Sequence, residues 1–376
     1  VRTRVRRDEA RHRQAIPRIA AGDHHRPAEL SITIVGHARV VAMGIEVERV
    51  ADPDAVGWDD LVTRSPMGTV FHHSDVLSVL EDHADATLHL LVGYKGQEVV
   101  GLFPCYELRK GPVTTVFSPP PRLGVPAMGP VQTNYRKLKR QKRGRRNKRF
   151  VEACLDWIAA ELSPKYTHVE TVPAYDDVRP FIWAEFDVTP RYTYEVDLAD
   201  GADAVFDALK GNLRSNIRRH EDEDFHVVEG GRDAIDFVLE QIRDRFEAQD
   251  KTFTIETDYV LDLYDALGPA GLRPYVGAAD GEWLGGILVP SLGDRMYFWQ
   301  GGGKPEASIP INDLIHWRII RDGIDRGVAT YDLTGANTQR IAEYKAKFNP
   351  RLVPYYEIER GTRTMNVVSD VYRKIR

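Results

Sequence analysis

Ile287, Leu288 and Val289 form an unbroken apolar run closed by the turn residues Pro290 to Asp294, which predicts a buried strand and a return strand over Arg295–Gln300. Asn312 then stands where it can cap a helix on which Ile315, Ile319 and Gly323 share one face; Gly327 stops it, and Val328–Leu333 reads as the next strand. A strand, a crossover helix and a strand favour a parallel pair. Leu352–Ile358 is the last strand. Upstream, Trp58–Arg64 and Ser74–His83 predict short helices. Leu88–Tyr94 and Glu98–Tyr106 predict a hairpin around Lys95-Gly96. Thr167–Val172 and Arg191–Asp197 alternate as strands. Helices are predicted over Phe150–Leu162, Pro180–Glu185, Ala202–Glu223, Ile235–Gln249 and Tyr259–Gly268. Phe117–Pro130, with Pro119-Pro120-Pro121 and Pro126, cannot be regular structure.

The hairpin pattern occurs twice. Val92-Gly93, a turn with Gly96, then Gly101 and Pro104 parallels Val276-Gly277, a turn with Gly281, then Gly285 and Pro290. The spacing from the first glycine to the later one is the same in both, which suggests two copies of one α/β unit in tandem.

The chain is long enough for two domains with proper cores, its composition is that of a globular protein, and no apolar run approaches the ~18 residues of a membrane span. Cys105 and Cys154 make no disulfide framework and have no metal-ligand spacing; both read as core residues, no metal is expected, and a cytoplasmic location follows. Charge is uneven. Residues 1–42 hold nine Arg against four acids, and positions 136–149 hold ten Lys or Arg and no acid, which leaves about −20 on the rest of a chain of net charge −5. Residues 1–42 have no apolar period, and Met43 opens a typical strand, so they read as an extension outside the fold, disordered or not native. The basic run, with Arg136, Lys137, Lys139, Arg140 and Arg143, has three readings: a solvated helix end, a contact for RNA phosphates, or a contact with the inner face of a membrane. No aromatic residue interleaves within it, which argues against base stacking.

Candidate chemistry gathers near the C-terminal end. Gly301, Gly302 and Gly303 would let a substrate approach the backbone. The turn Thr334-Gly335-Ala336-Asn337 leads into Tyr344-Lys345-Ala346-Lys347-Phe348-Asn349. Backbone amides, a glycine turn and two lysines together suit an acyl transfer, whose tetrahedral intermediate needs donors for its oxyanion. No nucleophile elbow or Ser-His-Asp order is present. Asp332 is a candidate base or a residue that ties its turn. His316 reads as a satisfied, half-buried histidine, and Tyr297 as cleft wall or core.

Tyr331-Asp332, Gly335 and the segment Tyr344-Lys345 to Phe348-Asn349 resemble the second domain of the FemABX-like transferases, a branch of the GNAT acyltransferases. The resemblance covers nearly all of Met43–Tyr356. It implies an α/β fold of mixed sheets with two tandem GNAT-like domains, residues 43–186 and 187–360, followed by a tail at 361–376. It also implies that Lys345 stabilises negative charge and that Phe117–Pro130 walls the substrate cleft. By the same resemblance, Arg214 and Arg218, four apart on one helix, face substrate phosphates; their alternative is pairing with Glu221 to Asp224. Phe71-His72-His73-Ser74 replaces the family's Phe-x-Gln-Ser, and no lysine follows, which sets a nucleotide-linked muropeptide in doubt.

The expected activity is transfer of an aminoacyl or acyl group to an amine of a phosphate-bearing envelope precursor. Asp332 and Lys345 would be catalytic, and Arg214, Arg218, Tyr297, Gly301, Gly302 and Asn337 would bind substrate. No cofactor is expected to bind tightly; the donor is aminoacyl-tRNA or an acyl-CoA. Before the Asn312 helix, Pro305 and Pro310 remove amide donors and no glycine is present, which argues against ordinary CoA binding there. The alternatives are an acetyl-CoA-dependent N- or O-acetyltransferase of sugars and a non-catalytic RNA-binding protein on the same fold. Partners would be the precursor, tRNA and a peripheral membrane contact, with the protein a monomer or a dimer.

Overall fold

The computed structural model describes residues 40–42, 44–220, 225–303 and 309–362, all within one unit, His37–Arg376. The first half contains β1 (Val40–Ala42), β2 (Ile45–Val50), α1 (Trp58–Arg64), α2 (Ser74–Ala84), β3 (Thr87–Lys95), β4 (Glu98–Lys110), β5 (Val113–Ser118), β6 (Val131–Gln132), α3 (Arg140–Glu161), β7 (Tyr166–Glu170) and α4 (Arg179–Trp183). The second contains β8 (Asp187–Asp197), α5 (Ala202–Ala208), α6 (Gly211–His220), β9 (His226–Glu229), α7 (Arg232–Glu247), α8 (Thr257–Gly271), β10 (Leu272–Ala279), β11 (Glu282–Leu292), β12 (Arg295–Tyr297), β13 (Gln300–Gly303), α9 (Ile311–Asp325), β14 (Thr330–Asp332), α10 (Gln339–Lys345) and β15 (Arg351–Gly361). All strands join one mixed sheet, ordered β1-β2-β3-β4-β5-β7-β15-β8-β14-β12-β11-β10-β9, with β13 on β11 and β6 on β4.

The repeated hairpin is a repeated structure. In β3/β4, Gly93 faces Gly101 and the register shifts after Gly93; in β10/β11, Gly277 faces Gly285 and the register shifts after Gly277. The reason is an aromatic ring laid on the sheet. A Cβ on Gly93 or Gly101 would lie 2.4 Å from the ring of Phe150, and one on Gly277 would lie 2.6 Å from Phe225. The crossover rule also holds: β12 and β14, joined through α9, pair in parallel. β15 lies between β7 and β8, antiparallel to both, so the last strand joins the two halves.

Several boundaries differ from expectation. Residues 40–42, placed in the basic extension, are instead strand β1 on β2; residues 1–39 lie outside the described ones, as does the tail beyond residue 362. α3 starts at Arg140, ten residues before Phe150, because part of the basic run turns inward. Arg146 is 8% exposed; it donates to the Thr133 carbonyl and lies 3.6 Å from Glu98. Asn147 accepts from Gln132 at 2.5 Å and donates to the Asp177 carbonyl at 2.6 Å. The expected helix over Ala202–Glu223 is two helices, because Leu209 is extended and turns into the core. Asn312 does not cap α9. It sits inside the first turn, after the N-cap Pro310, and its Oδ1 accepts from the Gly303 amide at 2.6 Å.

Candidate active site

A narrow cleft opens where the halves meet. Its walls are Pro66, Gly68, Thr69, Phe71, Pro126-Ala127 and Val172–Ala174 from the first half, and Thr193, Arg295, Tyr297, Asp332, Thr334, Gly335 and Tyr355 from the second. His72, wholly buried, fixes the first wall. Its Nδ1 accepts from the Thr69 hydroxyl at 2.8 Å, and its Nε2 lies 3.3 Å from the Gly129 carbonyl. Burial pulls its pKa down to about 4, so it is a neutral strut at neutral pH. The proline-rich connection does form a cleft wall, through Pro126 and Ala127.

Asp332 ends β14 and is 4% exposed. Its Oδ1 accepts from the Thr193 hydroxyl at 2.6 Å and the Thr334 amide at 2.8 Å. It therefore ties its turn and also faces the cleft. Burial raises its pKa to about 6, against the lowering effect of those two hydrogen bonds and of Arg295. A carboxylate so poised is ionised at neutral pH yet accepts a proton readily.

Tyr297, 4% exposed, lines the same cleft, with its ring 6.1 Å from that of Phe71. Its hydroxyl is buried and has no hydrogen-bond partner among the described residues. A buried hydroxyl left unpaired costs about 1–3 kcal/mol, so a donor held in that state at a cleft is suited to a partner that arrives with substrate. Arg295 adds positive charge to the wall. It pairs with Glu195, whose other oxygen accepts from Arg351 at 2.6 Å. Thr193, Glu195, Arg295 and Tyr355 were missed by sequence reasoning. The signal was the alternation Arg191-Tyr-Thr193-Tyr-Glu195, which puts three polar side chains on one face of β8.

Lys345 stands one step behind the cleft. It is 6% exposed, and its ammonium donates to the carbonyls of Thr334 and of Gly335, the latter at 2.9 Å, while lying 5.2 Å from the Phe298 ring centroid. Burial draws its pKa down to about 8, countered by Asp332. Lys347 is bound 2.6 Å from Asp313. Asn337 accepts from the Tyr192 amide at 2.8 Å and donates back to its carbonyl at 3.2 Å, pinning the turn to β8. His316 is fully buried, with Nδ1 2.9 Å from the Tyr331 hydroxyl, and burial lowers its pKa to about 3.

Other expected contacts lie elsewhere. Gly301 and Gly302 are not a loose turn but β13, paired with Ile287 and Gly286. Their φ angles are 135° and 146°, and a Cβ on Gly302 would lie 2.7 Å from the Arg245 guanidinium, so close packing already accounts for them. On α6, Arg214 donates to the Asp207 carbonyl and Arg218 lies 5.1 Å over the Phe206 ring; neither lines the cleft. Their alternative partners, residues 221–224, lie outside the described ones. Arg136, Lys137 and Lys139 are exposed just before α3 and Arg140 at its start, and Arg143 packs 4.7 Å over the Tyr135 ring. Cys105 and Cys154 are buried.

Residues 208–346 match the family described as Acetyltransferase (GNAT) domain. No curated protein matches. Among solved structures, FemX is similar over 82% of this chain and 96% of its own, with a TM-score of 0.64 and 13% identity. L-PGS from Bacillus licheniformis is similar over 84% and 95%, with a TM-score of 0.51 and 13% identity. The C-terminal domain of an Agrobacterium fabrum protein named for lysylphosphatidylglycerol synthetase is similar over 82% and 92%, with a TM-score of 0.51 and 15% identity. At these identities the likeness is one of fold.

Proposed function

For a chain that carries a GNAT acyltransferase domain over residues 208–346, we propose transfer of an aminoacyl group to an amine of a phosphate-bearing envelope precursor, in the cleft that holds Asp332 and Tyr297. The observation that carries this reading is the unpaired, buried Tyr297 hydroxyl in the same wall as a carboxylate of raised pKa. The acceptor nitrogen attacks the acyl carbonyl carbon and forms the new C–N bond. The carbonyl oxygen becomes an oxyanion, and Tyr297 donates to it. Asp332 takes the proton that the nitrogen releases and passes it to the leaving oxygen as the donor's C–O bond breaks. Lys345 and Arg295 supply positive potential without having to touch the oxyanion.

Two features favour aminoacyl-tRNA over a CoA thioester. α9 opens on Pro310 and has the acid Asp313 in its first turn, and the nearby Gly303 amide is already bound to Asn312. Lys347 offsets that acid, but the Ile311, Asp313 and Leu314 amides are already bound to the carbonyls of Ile309 and Pro310, so a pyrophosphate at that helix start would meet few free amides. The name of one of the similar structures, which denotes an aminoacylated phospholipid, supports the same choice. Acyl-CoA is the second reading, favoured by the family match itself.

The test supplies labelled aminoacyl-tRNA or acetyl-CoA with a panel of amine acceptors and reads product mass, for the wild type and for Tyr297→Phe and Asp332→Asn. Transfer from aminoacyl-tRNA that both substitutions suppress supports the reading. Acetyl transfer alone moves it to the second one. Undiminished transfer by the double variant removes this cleft from the chemistry.

A further inference from the structure

We propose that the basic start of α3 and the tip of α4 form one surface that docks on an anionic lipid leaflet. Arg136, Lys137, Lys139, Arg140, Lys142 and Arg145 are exposed, and none of them enters an ion pair among the described residues; within the run the buried Arg146 takes Glu98 and the half-buried Lys148 takes Glu152. α4 packs on α3 and ends in two apolar side chains turned to solvent, Ile182 (51% exposed) and Trp183 (55%).

Arg179 makes these two features a single patch. Its guanidinium lies 5.5 Å over the Trp183 ring, and its Nη2 comes within 3.4 Å of where a Cβ on Gly144, in the middle of the basic run, would sit. The nearby acids reduce the charge without cancelling it. Asp177 pairs with Arg179 at 2.7 and 2.9 Å, and Asp176, Glu185 and Asp187 are exposed, three negative charges against the six unpaired cations.

The chemistry selects the partner. Clustered Lys and Arg are drawn to the headgroup phosphates of an anionic leaflet, and tryptophan favours the boundary between headgroups and acyl chains. An exposed isoleucine beside it gains by entering that boundary. An RNA duplex would use the cations but has no use for Ile182. No helix among the described residues is long and apolar enough to cross a membrane, so the attachment would be peripheral.

The location gives the surface a purpose. Pro173 and Ala174 line the cleft, and the chain runs on through Tyr175, whose hydroxyl donates to Asn147 of α3 at 2.7 Å, to Asp177. Asp177 is three residues on from Ala174, at most about 11 Å of chain. A leaflet against α3 and α4 would lie near the cleft mouth, where a lipid-borne acceptor could enter. Docking itself does not depend on which group is transferred.

The experiment is co-sedimentation of the full chain with vesicles of phosphatidylcholine alone or mixed equally with phosphatidylglycerol, at low and high salt, for three proteins of matched melting temperature. The wild type should pellet with the anionic vesicles only, and less at high salt. Arg140→Glu/Lys142→Glu/Arg145→Glu should bind about ten-fold more weakly or worse. Ile182→Ser/Trp183→Ser should bind several-fold more weakly at unchanged charge. The proposal is overturned if the wild type ignores anionic vesicles, whether or not it binds a short RNA duplex, if neutral vesicles bind as well, or if the Ile182/Trp183 variant binds like the wild type.

Discussion

Thr193 donates its hydroxyl to the Asp332 carboxylate at 2.6 Å across the antiparallel pair β8 and β14, so a residue that holds down the pKa of the candidate base belongs to the strand beside it. That bond favours the ionised form and opposes the burial that pushes the Asp332 pKa up to about 6. Thr193→Val removes it. The acidic limb of the pH–rate profile should then move to higher pH, with the plateau rate nearly retained, and a pH series of kcat/KM checks it. An unmoved limb would assign that limb to another group.

Asp332→Asn should abolish transfer and stabilise the fold. The folded pKa of Asp332 is raised above its ordinary 3.8, so its contribution is most favourable below pH ~4 and is lost as pH rises through about 6. Above that pH the ionised carboxylate costs up to about 3 kcal/mol, at 1.36 kcal/mol per pH unit. Asparagine keeps the acceptor for Thr193 and Thr334 without the charge. Melting curves at pH 4 and pH 7 should show the gain at pH 7 only.

Tyr297→Phe should lower kcat about 10²-fold or more, because it deletes a donor to the oxyanion. It should leave the melting temperature equal or higher, since the hydroxyl has no partner among the described residues to lose. A fall in stability with kcat unchanged would mark the hydroxyl as structural.

Lys345→Ala should lower both activity and stability. Its ammonium serves the Thr334 and Gly335 carbonyls, and removing a donor from buried acceptors costs about 1–3 kcal/mol. With a folded pKa of about 8 against an ordinary 10.5, Lys345 contributes stability that rises with pH between those values. Lys345→Met should flatten that part of the stability profile, which chemical denaturation at pH 8 and pH 10 measures.

His72 and His316 are buried and neutral, with pKa values lowered to about 4 and about 3. As pH falls below 6.5 the unfolded chain takes up protons that the folded chain refuses, so stability declines with acid. At pH 5 each costs on the order of 2 kcal/mol. Substituting each in turn with Gln should move the acid-unfolding midpoint to lower pH.

The parts of the fold legible in the sequence were those where one physical requirement dominates a short stretch. Gly93 and Gly101 both lie under the Phe150 ring; in the second hairpin Gly277 lies under Phe225 and Gly285 against the Gly303 backbone, so none of the four positions has room for a Cβ. The parallel pairing of β12 and β14 followed from a crossover helix of adequate length. Partners far apart in sequence were not legible. Nothing local to Arg295 points to Glu195, and nothing local to Tyr297 says that its hydroxyl would be buried without a partner. The lysine-bearing segment was found, but where its ammonium points is decided by the Thr334-Gly335 turn folding back over it. The basic run misled in the opposite way. Its charge hid a helical face, because Arg146 and Asn147 are the members that turn inward.

β15 lies between two strands that are synthesised long before it. Until the ribosome has delivered it, β7 and β8 each present an unsatisfied edge, and the seam between the halves has no keystone. Assembly of the cleft between the halves therefore waits for late chain. A nascent first half is open to pairing with the wrong neighbour for as long as translation takes to bring that strand out.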